Sequence, residues 1–247
     1  MADPAATEFR HVRFADVLER GPSLAARVAG SAALRRRQAV TGRLCRLLGR
    51  VQLTGLELLP ATGPAILAVN HTSFMDGPLL FGLIDRPVTF LVKAEAFEPA
   101  AGLAGRLLVA GGQLPVRRYR IDPAPVRYGL DLLRAGGVLG MFPEGSRGAG
   151  LATPVRPGVG YFAVKTGAPV LPVAVLGSGR TVRTVARPPV EIRFGAPLTF
   201  PAAGPVLNRS RWLAAAESVR QALAELVAAA EADLVSEAGR PQTTMEA

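Results

Sequence analysis

The sequence predicts an α/β fold: a mostly parallel sheet flanked by helices, with an N-terminal basic amphipathic helical segment and a long C-terminal helix. From Gly55 onward, short runs of Val, Ile, Leu and Ala alternate with longer segments of helical periodicity. Gly or Pro stands at nearly every junction between them. Hydrophobic residues make up 49% of the 247 residues, which is enough for a sizeable buried core.

The N-terminal part is predicted to be helical and basic. Residues 1–22 show little patterning and are interpreted as an arm. Residues 24–51 carry apolar side chains at helical spacing, in a stripe about 100° wide, with arginines on the other side. The stripe consists of Val40, Leu44, Leu47, Leu48 and Val51, and the arginines are Arg36, Arg43, Arg46 and Arg50.

A basic amphipathic helix is typical of a segment that lies on a membrane surface. The alternative is a helix that packs its apolar stripe on the domain core and exposes its arginines to solvent. Two domains are predicted on this basis. Residues 1–52 form the arm and the membrane-associating helices, and residues 53–247 form the α/β domain.

The remaining elements are predicted in order from local pattern. Strands are predicted from continuous apolar runs, because a strand buried on both faces of a parallel sheet has no polar side. Helices are predicted from periodic stretches bounded by Gly or Pro, and the last of them is Ala-rich and long. The predicted strands are 65–69, 88–92, 113–116, 138–142, 170–176 and 190–194, and the predicted helices are 78–83, 100–109, 123–135, 159–166 and 211–235.

The formal net charge of +10 predicts an anionic partner: a nucleic acid, a membrane surface or a phosphorylated substrate. Aromatic residues make up only 6%, and no helix-turn-helix, zinc motif or stacking platform is visible, so no nucleic-acid partner is expected. The single cysteine is typical of a reducing cytoplasm. Without a secretory pattern or a run of ~18 apolar residues, the sequence predicts a cytoplasmic protein, peripherally associated with the cytoplasmic membrane.

His71 and Asp76 form the first candidate for chemistry. They follow the strand predicted at 65–69, and on a straight helix their side chains would be about 140° apart. Gly77-Pro78 favours a helix start near Asp76, so the loop before it can turn and bring the two together. A carboxylate bound to one imidazole nitrogen leaves the other free as a base. A structural histidine beside a helix-capping aspartate is the alternative.

Residues 144–147 (Glu-Gly-Ser-Arg) form the second candidate and directly follow the strand predicted at 138–142. Gly145 permits close backbone approach, and Arg147 can bind phosphate or carboxylate through two parallel hydrogen bonds. In open α/β sheets, ligands lie outside the carboxyl ends of the strands, so this segment and His71 could face one cleft. A surface turn with a salt bridge is the alternative.

Four segments together resemble the glycerolipid acyltransferases, and within them the 1-acyl-sn-glycerol-3-phosphate acyltransferase family. They are residues 70–76, residues 144–147, the glycine-led segment 112–118 that ends in a double arginine, and the Pro-x-x-Pro strand within 168–173. The resemblance covers residues 50–200 and rests on the order and spacing of all four. Ser146 departs from the family's commoner threonine but keeps the hydroxyl.

The resemblance implies an enzyme, an O-acyltransferase. It would move a fatty acyl group from acyl-CoA or acyl carrier protein to the sn-2 hydroxyl of 1-acylglycerol-3-phosphate, giving phosphatidic acid. His71 would be the general base, oriented by Asp76, and transfer would be direct, without an acyl-enzyme. No cofactor is implied beyond the acyl donor as co-substrate. No metal is expected, because two histidines without a carboxylate cluster are a poor ligand set.

The resemblance also implies substrate-binding residues. The phosphate of the lysophospholipid acceptor would be bound by Lys93, one of two lysines in the chain, and by Arg118 and Arg147. Either Arg117 or Arg118 is the family's arginine, and the distance from Gly112 favours Arg118. Three further residues are assigned to the substrate: Glu144 for positioning, Gly145 for a backbone N–H to the acceptor or oxyanion, and Ser146 for binding.

Other functions stay open from the sequence. An acyltransferase of the same family could act on another lysophospholipid, on glycerol 3-phosphate or on another hydroxylated lipid. A protein of another class, a non-catalytic lipid- or membrane-binding protein, could use the same fold. The intact pair of His71 and Asp76 argues against it, because a binding protein needs neither a base nor a group that orients one.

Overall fold

The structure, a computed structural model, describes residues 31–48, 50–98, 102–117, 123–145, 156–180, 189–203 and 208–238. These residues form a seven-stranded sheet and six α-helices, which confirms the predicted α/β class. The strands are β1 (Arg50–Thr54), β2 (Ala65–Val69), β3 (Val88–Lys93), β4 (Leu114–Val116), β5 (Val138–Met141), β6 (Val170–Leu176) and β7 (Pro189–Phe194). The helices are α1 (Ala32–Leu48), α2 (Asp76–Leu83), α3 (Gly102–Ala110), α4 (Pro123–Arg134), α5 (Gly158–Thr166) and α6 (Arg209–Ala238).

The sheet is mostly parallel, as predicted. Its strand order is β1-β7-β6-β2-β5-β3-β4, and the five strands from β6 to β4 all run in the same direction. Strand β7 runs antiparallel to β6, and β1 runs parallel to β7. The carboxyl ends of the five parallel strands therefore meet at one edge of the sheet, where the loops that follow them can share a cleft.

Strand β2 lies at the centre and is buried on both faces. Leu67 and Val69 point into one hydrophobic cluster, and Ile66 and Ala68 point into the other. Burying one large aliphatic side chain contributes ~1.5–3 kcal/mol to the free energy of folding. Packing on β2 therefore stabilises the helices on both faces of the sheet. The helical partners are Leu79 and Leu80 of α2 on the first face, and Leu132 of α4, Phe162 of α5 and Val219 of α6 on the second.

Arg86 joins the amino ends of three central strands. It lies in the loop before β3, and its guanidinium donates to the carbonyls of Pro60 at 2.6 Å, Gly63 at 2.6 Å and Gly136 at 2.7 Å. Two of these carbonyls precede β2 and the third precedes β5. Burial lowers the pKa of the Arg86 guanidinium below its usual value. This contact lies at the edge of the sheet opposite to the carboxyl ends.

Helix α1 is shorter than predicted. It ends at Leu48, and Arg50–Thr54 forms the edge strand β1, so the prediction of a helix up to residue 51 is wrong. Side chains of β1 alternate between exposed and half-buried, the period of two that is typical of a strand with one face on the core. Strand β1 spans the predicted domain boundary between residues 52 and 53 and pairs with β7.

Helix α1 contacts the core through a face that the sequence does not mark as apolar. Its buried side chains include Leu34, Gln38 and Cys45, and the Gln38 amide donates to carbonyls in and after α2. Gly42 of α1 lies so close to Gly82 of α2 that a Cβ at Gly42 would overlap the Gly82 carbonyl oxygen. Small and polar residues therefore let the two helices approach closely.

The apolar strip of α1, defined here as Val40, Leu44 and Leu47, points away from the core. Its members are 56%, 54% and 63% exposed. The alternative in which the apolar stripe packs on the domain core is therefore wrong for these three side chains. None of the helices among the described residues is both long enough and apolar enough to cross a membrane.

Candidate active site

The two candidate segments meet at the carboxyl edge of the sheet. His71 follows β2 and Glu144 follows β5, and these strands are hydrogen-bonded neighbours. The backbone N–H of His71 donates to Glu144 Oε1 at 2.9 Å. The two segments therefore form one site, as the sequence led us to expect from their positions after parallel strands.

Asp76 organises the loop that follows β2. It is the first residue of α2 and is completely buried. Its Oδ2 is 2.9 Å from His71 Nδ1 and accepts the backbone N–H groups of Thr72 and Ser73 at the same distance. The loop turns because one carboxylate oxygen collects three donors from the residues just before it. This turn brings His71 and Asp76 together.

The contacts of His71 make Nε2 its basic atom. A carboxylate only accepts hydrogen bonds, so Nδ1 carries the proton and the Nε2 lone pair is left in the neutral ring. The ring stacks on Phe142, with centroids 4.1 Å apart and planes at 23°, which holds its orientation. The His71 side chain is 16% exposed and that of Asp76 is 0% exposed, so a substrate can reach only the imidazole.

Asn70 holds the start of this loop. Its side-chain N–H donates to the Val175 carbonyl at 3.0 Å, and its Oδ1 accepts the Val175 N–H at 2.7 Å. These two bonds tie the loop after β2 to β6. The sequence assigns no role to Asn70, because its partner lies 105 residues away along the chain.

Glu144 and Gly145 lie in a tight turn after β5. The Gly145 N–H donates to the Phe142 carbonyl at 3.0 Å, and Gly145 has a φ of 74°. The turn engages this N–H in the structure, and its predicted use for the acceptor or oxyanion stays a prediction. Glu144 holds the His71 backbone, and its predicted role in substrate positioning stays a prediction.

Arg156 is a cation at the site that the sequence does not single out. Its N–H donates to the Pro143 carbonyl at 2.8 Å, and its exposed side chain crosses Gly145. A Cβ at Gly145 would overlap Arg156 Nε and displace that side chain, and the positive φ of Gly145 independently favours glycine. No local pattern marks Arg156, since only the tertiary turn brings it back to the site.

The predicted substrate-binding cations are described in part. Lys93 is exposed at the end of β3, in register with Val116 at the end of β4, and the exposed Arg117 follows directly. The choice between Arg117 and its neighbour stays a prediction. Three predicted binding residues lie outside the described residues: Arg118, Ser146 and Arg147.

Ser178 completes the described surroundings of Asp76. It is completely buried in the 3₁₀ turn Ser178–Arg180 after β6, and its hydroxyl donates to Asp76 Oδ1 at 2.5 Å. The Thr72 hydroxyl lies 3.2 Å from the Ser178 hydroxyl. The sequence assigns no role to Ser178. Its place two residues after a predicted strand is the one signal that could have marked it.

Known acyltransferases resemble the chain in sequence. Over 142 residues it is 31% identical to the 1-acyl-sn-glycerol-3-phosphate acyltransferase BAT2 of Brassica napus, covering 55% of this chain and 40% of that protein. Over 181 residues it is 25% identical to the 1-acyl-sn-glycerol-3-phosphate acyltransferase of Bacillus subtilis, covering 73% of this chain and 89% of that protein. The chain therefore spans less than half of the plant protein and most of the bacterial one.

A solved structure and a family model lead to the same family as these relatives. The crystal structure of PlsC, the 1-acyl-sn-glycerophosphate (LPA) acyltransferase of Thermotoga maritima, matches with a TM-score of 0.53 and 26% identity, over 78% of this chain and 79% of that one. The family model described as Acyltransferase matches residues 50–176, just over half of the chain, from β1 to the end of β6. Both candidate segments lie within that match, and the chain belongs to the acyltransferase family.

Proposed function

We propose that the chain transfers a fatty acyl group from acyl-CoA or acyl carrier protein to the sn-2 hydroxyl of 1-acylglycerol-3-phosphate, giving phosphatidic acid. The pair of His71 and Asp76 carries the proposal, because it places a partly exposed imidazole on a buried carboxylate at 2.9 Å. Family membership supports acyl transfer to oxygen. The names of the relatives from B. napus, B. subtilis and T. maritima support this acceptor.

In the proposed reaction, His71 Nε2 takes the proton from the acceptor hydroxyl as that oxygen attacks the thioester carbonyl carbon. A C–O bond forms, and the carbonyl oxygen carries negative charge in the tetrahedral intermediate. The C–S bond then breaks, and the leaving thiolate takes the proton from the imidazolium, which restores neutral His71. Asp76 stabilises the imidazolium between the two steps. General-base assistance of this kind contributes ~10²–10⁴-fold.

Cations around the cleft would bind the phosphate of the acceptor. Lys93 and Arg156 are exposed at the carboxyl edge, and Arg118 and Arg147 are added from the sequence resemblance. Arginine binds phosphate through two parallel hydrogen bonds, whereas lysine acts as a point charge. Gly145 lets the Arg156 side chain cross the turn beside the base, which favours a phosphorylated acceptor.

The proposal includes an anionic membrane surface, from which the lipid acceptor would enter the cleft. The apolar strip of α1 is exposed. On the same helix, Arg35, Arg43 and Arg46 line a cleft of about 210 Å³ between α1 and α2. Apolar side chains flanked by cations suit a surface of anionic lipid. Peripheral association with the cytoplasmic membrane is proposed on this ground.

The test is release of free thiol from oleoyl- or palmitoyl-CoA with lysophosphatidic acid in detergent, with phosphatidic acid identified by chromatography. Release is expected to require the acceptor and to fall by at least ~10²-fold in His71→Ala. The matched control is His11→Ala, which alters the other histidine of the chain and should keep wild-type turnover. Full turnover in His71→Ala would contradict the base assignment. No turnover of the wild type with this acceptor would contradict the substrate.

A further inference from the structure

Ser178 lies in the 3₁₀ turn after β6, whereas the loop that it contacts follows β2, and its hydroxyl donates to the carboxylate of Asp76. We propose that Ser178 is a positioning residue, whose hydroxyl holds the Asp76 carboxylate in the orientation that keeps the His71 proton on Nδ1 and leaves Nε2 basic. The inference rests on the proposed function of the His71–Asp76 pair. It adds a residue from the turn after β6 to the residues on which that function depends.

The hydrogen bonds to Asp76 are divided unevenly between its two oxygens. Three donors reach Oδ2, and all of them belong to the loop that runs from His71 to Ser73. Bonds to one oxygen fix the position of that atom but not the plane of the carboxylate. The bond from Ser178 reaches Oδ1, so it fixes the plane and ties it to the central sheet.

The direction of the hydroxyl protons follows from the chemistry of the groups. Ser178 has one hydroxyl proton, and the carboxylate can only accept, so the proton points to Asp76 Oδ1. At 3.2 Å, the Thr72 hydroxyl then donates to Ser178 Oγ. The chain from Thr72 through Ser178 to Asp76 is polarised in one direction, which strengthens the bond to the carboxylate.

The backbone after β6 is shaped to deliver this hydroxyl. Gly177 has a φ of 77°, and a Cβ there would overlap the Pro189 carbonyl oxygen at the start of β7. The chain can therefore turn sharply after Leu176, and the turn buries Ser178 completely. A buried hydroxyl costs free energy unless it is hydrogen-bonded, and here its partner is the carboxylate that orients the base.

The first test is a double-mutant cycle on kcat with Ser178→Ala and Asp76→Ala in the full chain. With Asp76 intact, Ser178→Ala is expected to lower kcat roughly 10- to 100-fold, the effect of losing a hydrogen bond to a charged group, and to leave the acceptor KM unchanged. In the Asp76→Ala background it should change kcat by no more than about twofold. Equal losses in both backgrounds would overturn the proposal, as would wild-type kcat in folded Ser178→Ala.

The matched control for a lost buried hydroxyl is Thr89→Val. The Thr89 hydroxyl is buried and has no hydrogen-bond partner among the described residues. This variant should keep the wild-type kcat and KM. If Thr89→Val lowered kcat as much as Ser178→Ala, the effect at Ser178 would be general core damage, and the positioning role would be overturned.

The second test needs no turnover, so it separates failure of this inference from failure of the proposed function. In a ¹⁵N-histidine-labelled chain carrying His11→Gln, the imidazole ¹⁵N shifts report the tautomer of His71. The parent should show the neutral ring protonated on Nδ1, and Ser178→Ala should shift part of the population to Nε2. An unchanged tautomer in Ser178→Ala would overturn the proposal. Should that variant not fold, Ser178→Cys, with a weaker donor, should give a smaller shift in the same direction, and a parental spectrum would overturn it.

Discussion

Single residues of the site both shape the backbone and contact the side chains proposed to act on the substrate. The Asp76 carboxylate accepts two backbone N–H groups and contacts His71 at 2.9 Å, so the group that would orient the base also folds the loop that holds it. A buried carboxylate is stable only when donors surround it. Gly145 combines functions in the same way, because its positive φ forms the turn and its missing side chain leaves room for Arg156.

Gly145→Ala is expected to lower kcat/KM for the acceptor about tenfold, because the new Cβ displaces the Arg156 side chain. It should also lower the free energy of unfolding by ~1–2 kcal/mol through the left-handed backbone. The matched control is Gly63→Ala, which has a φ of 81° and no described atom within 4 Å of an added Cβ. Kinetics and urea unfolding of both variants check this. Equal loss of kcat/KM in the two would contradict the role of Arg156.

At the scale of the element, helix α1 places its two faces in different surroundings. The face with Leu34, Gln38 and Cys45 is buried against α2, and burial raises the pKa of the Cys45 thiol. The apolar strip faces outward, where it is costly to leave in water. A helix that packs one face on the core and exposes Val40, Leu44 and Leu47 on another is typical of one that meets a second apolar environment.

Leu44→Glu combined with Leu47→Glu is expected to weaken binding to vesicles of phosphatidylglycerol and phosphatidylcholine by more than ~10-fold. Burial of each leucine side chain in the lipid would contribute ~1.5–3 kcal/mol to the free energy of binding. Co-sedimentation measures the binding, and added salt should weaken the wild type because it screens the arginines. Val235→Glu on α6, where the valine is 74% exposed, is the matched control. Equal binding by the control and the double variant would contradict the membrane contact.

At the scale of the whole molecule, the two edges of the parallel sheet have separate roles. The carboxyl edge holds His71, Asp76 and Glu144 in one hydrogen-bonded site. The amino edge holds the Arg86 guanidinium on three carbonyls that precede two other strands. The proposed catalytic residues and the Arg86 contacts therefore lie at opposite ends of the same strands, so a change at one edge can leave the other intact.

Arg86→Met is expected to lower the free energy of unfolding by ~2–4 kcal/mol, because three carbonyls lose their donor while the aliphatic stem is kept. The kcat of the folded molecules should stay near the wild-type value. Arg134→Ala is the matched control, since that side chain is 60% exposed and its ion pair with Asp131 should contribute less than ~1 kcal/mol. Urea unfolding compares the two, and an equal loss of stability would contradict the role of Arg86.

Central strands were predicted more closely than edge strands. The bounds predicted for β2 and β6 agree with the structure, because a short apolar run that begins directly after proline is typical of a strand buried on both faces. Strand β1 was not predicted. Its half-exposed face leaves no continuous apolar run, and Val51 also fits the helical spacing of the segment before it.

The sequence by itself determined the α/β class, the order of the central elements, the family and the pairing of His71 with Asp76. The class, the order of elements and the pairing depend on periodicity or on spacing within one loop, and both are local. The family depends on the resemblance of four segments in their order along the chain. Only the tertiary structure decided which face of α1 is buried, and that Asn70 and Ser178 connect the loop after β2 to β6. Such contacts join residues more than 100 positions apart, and they follow from the strand order of the sheet, which no local pattern records.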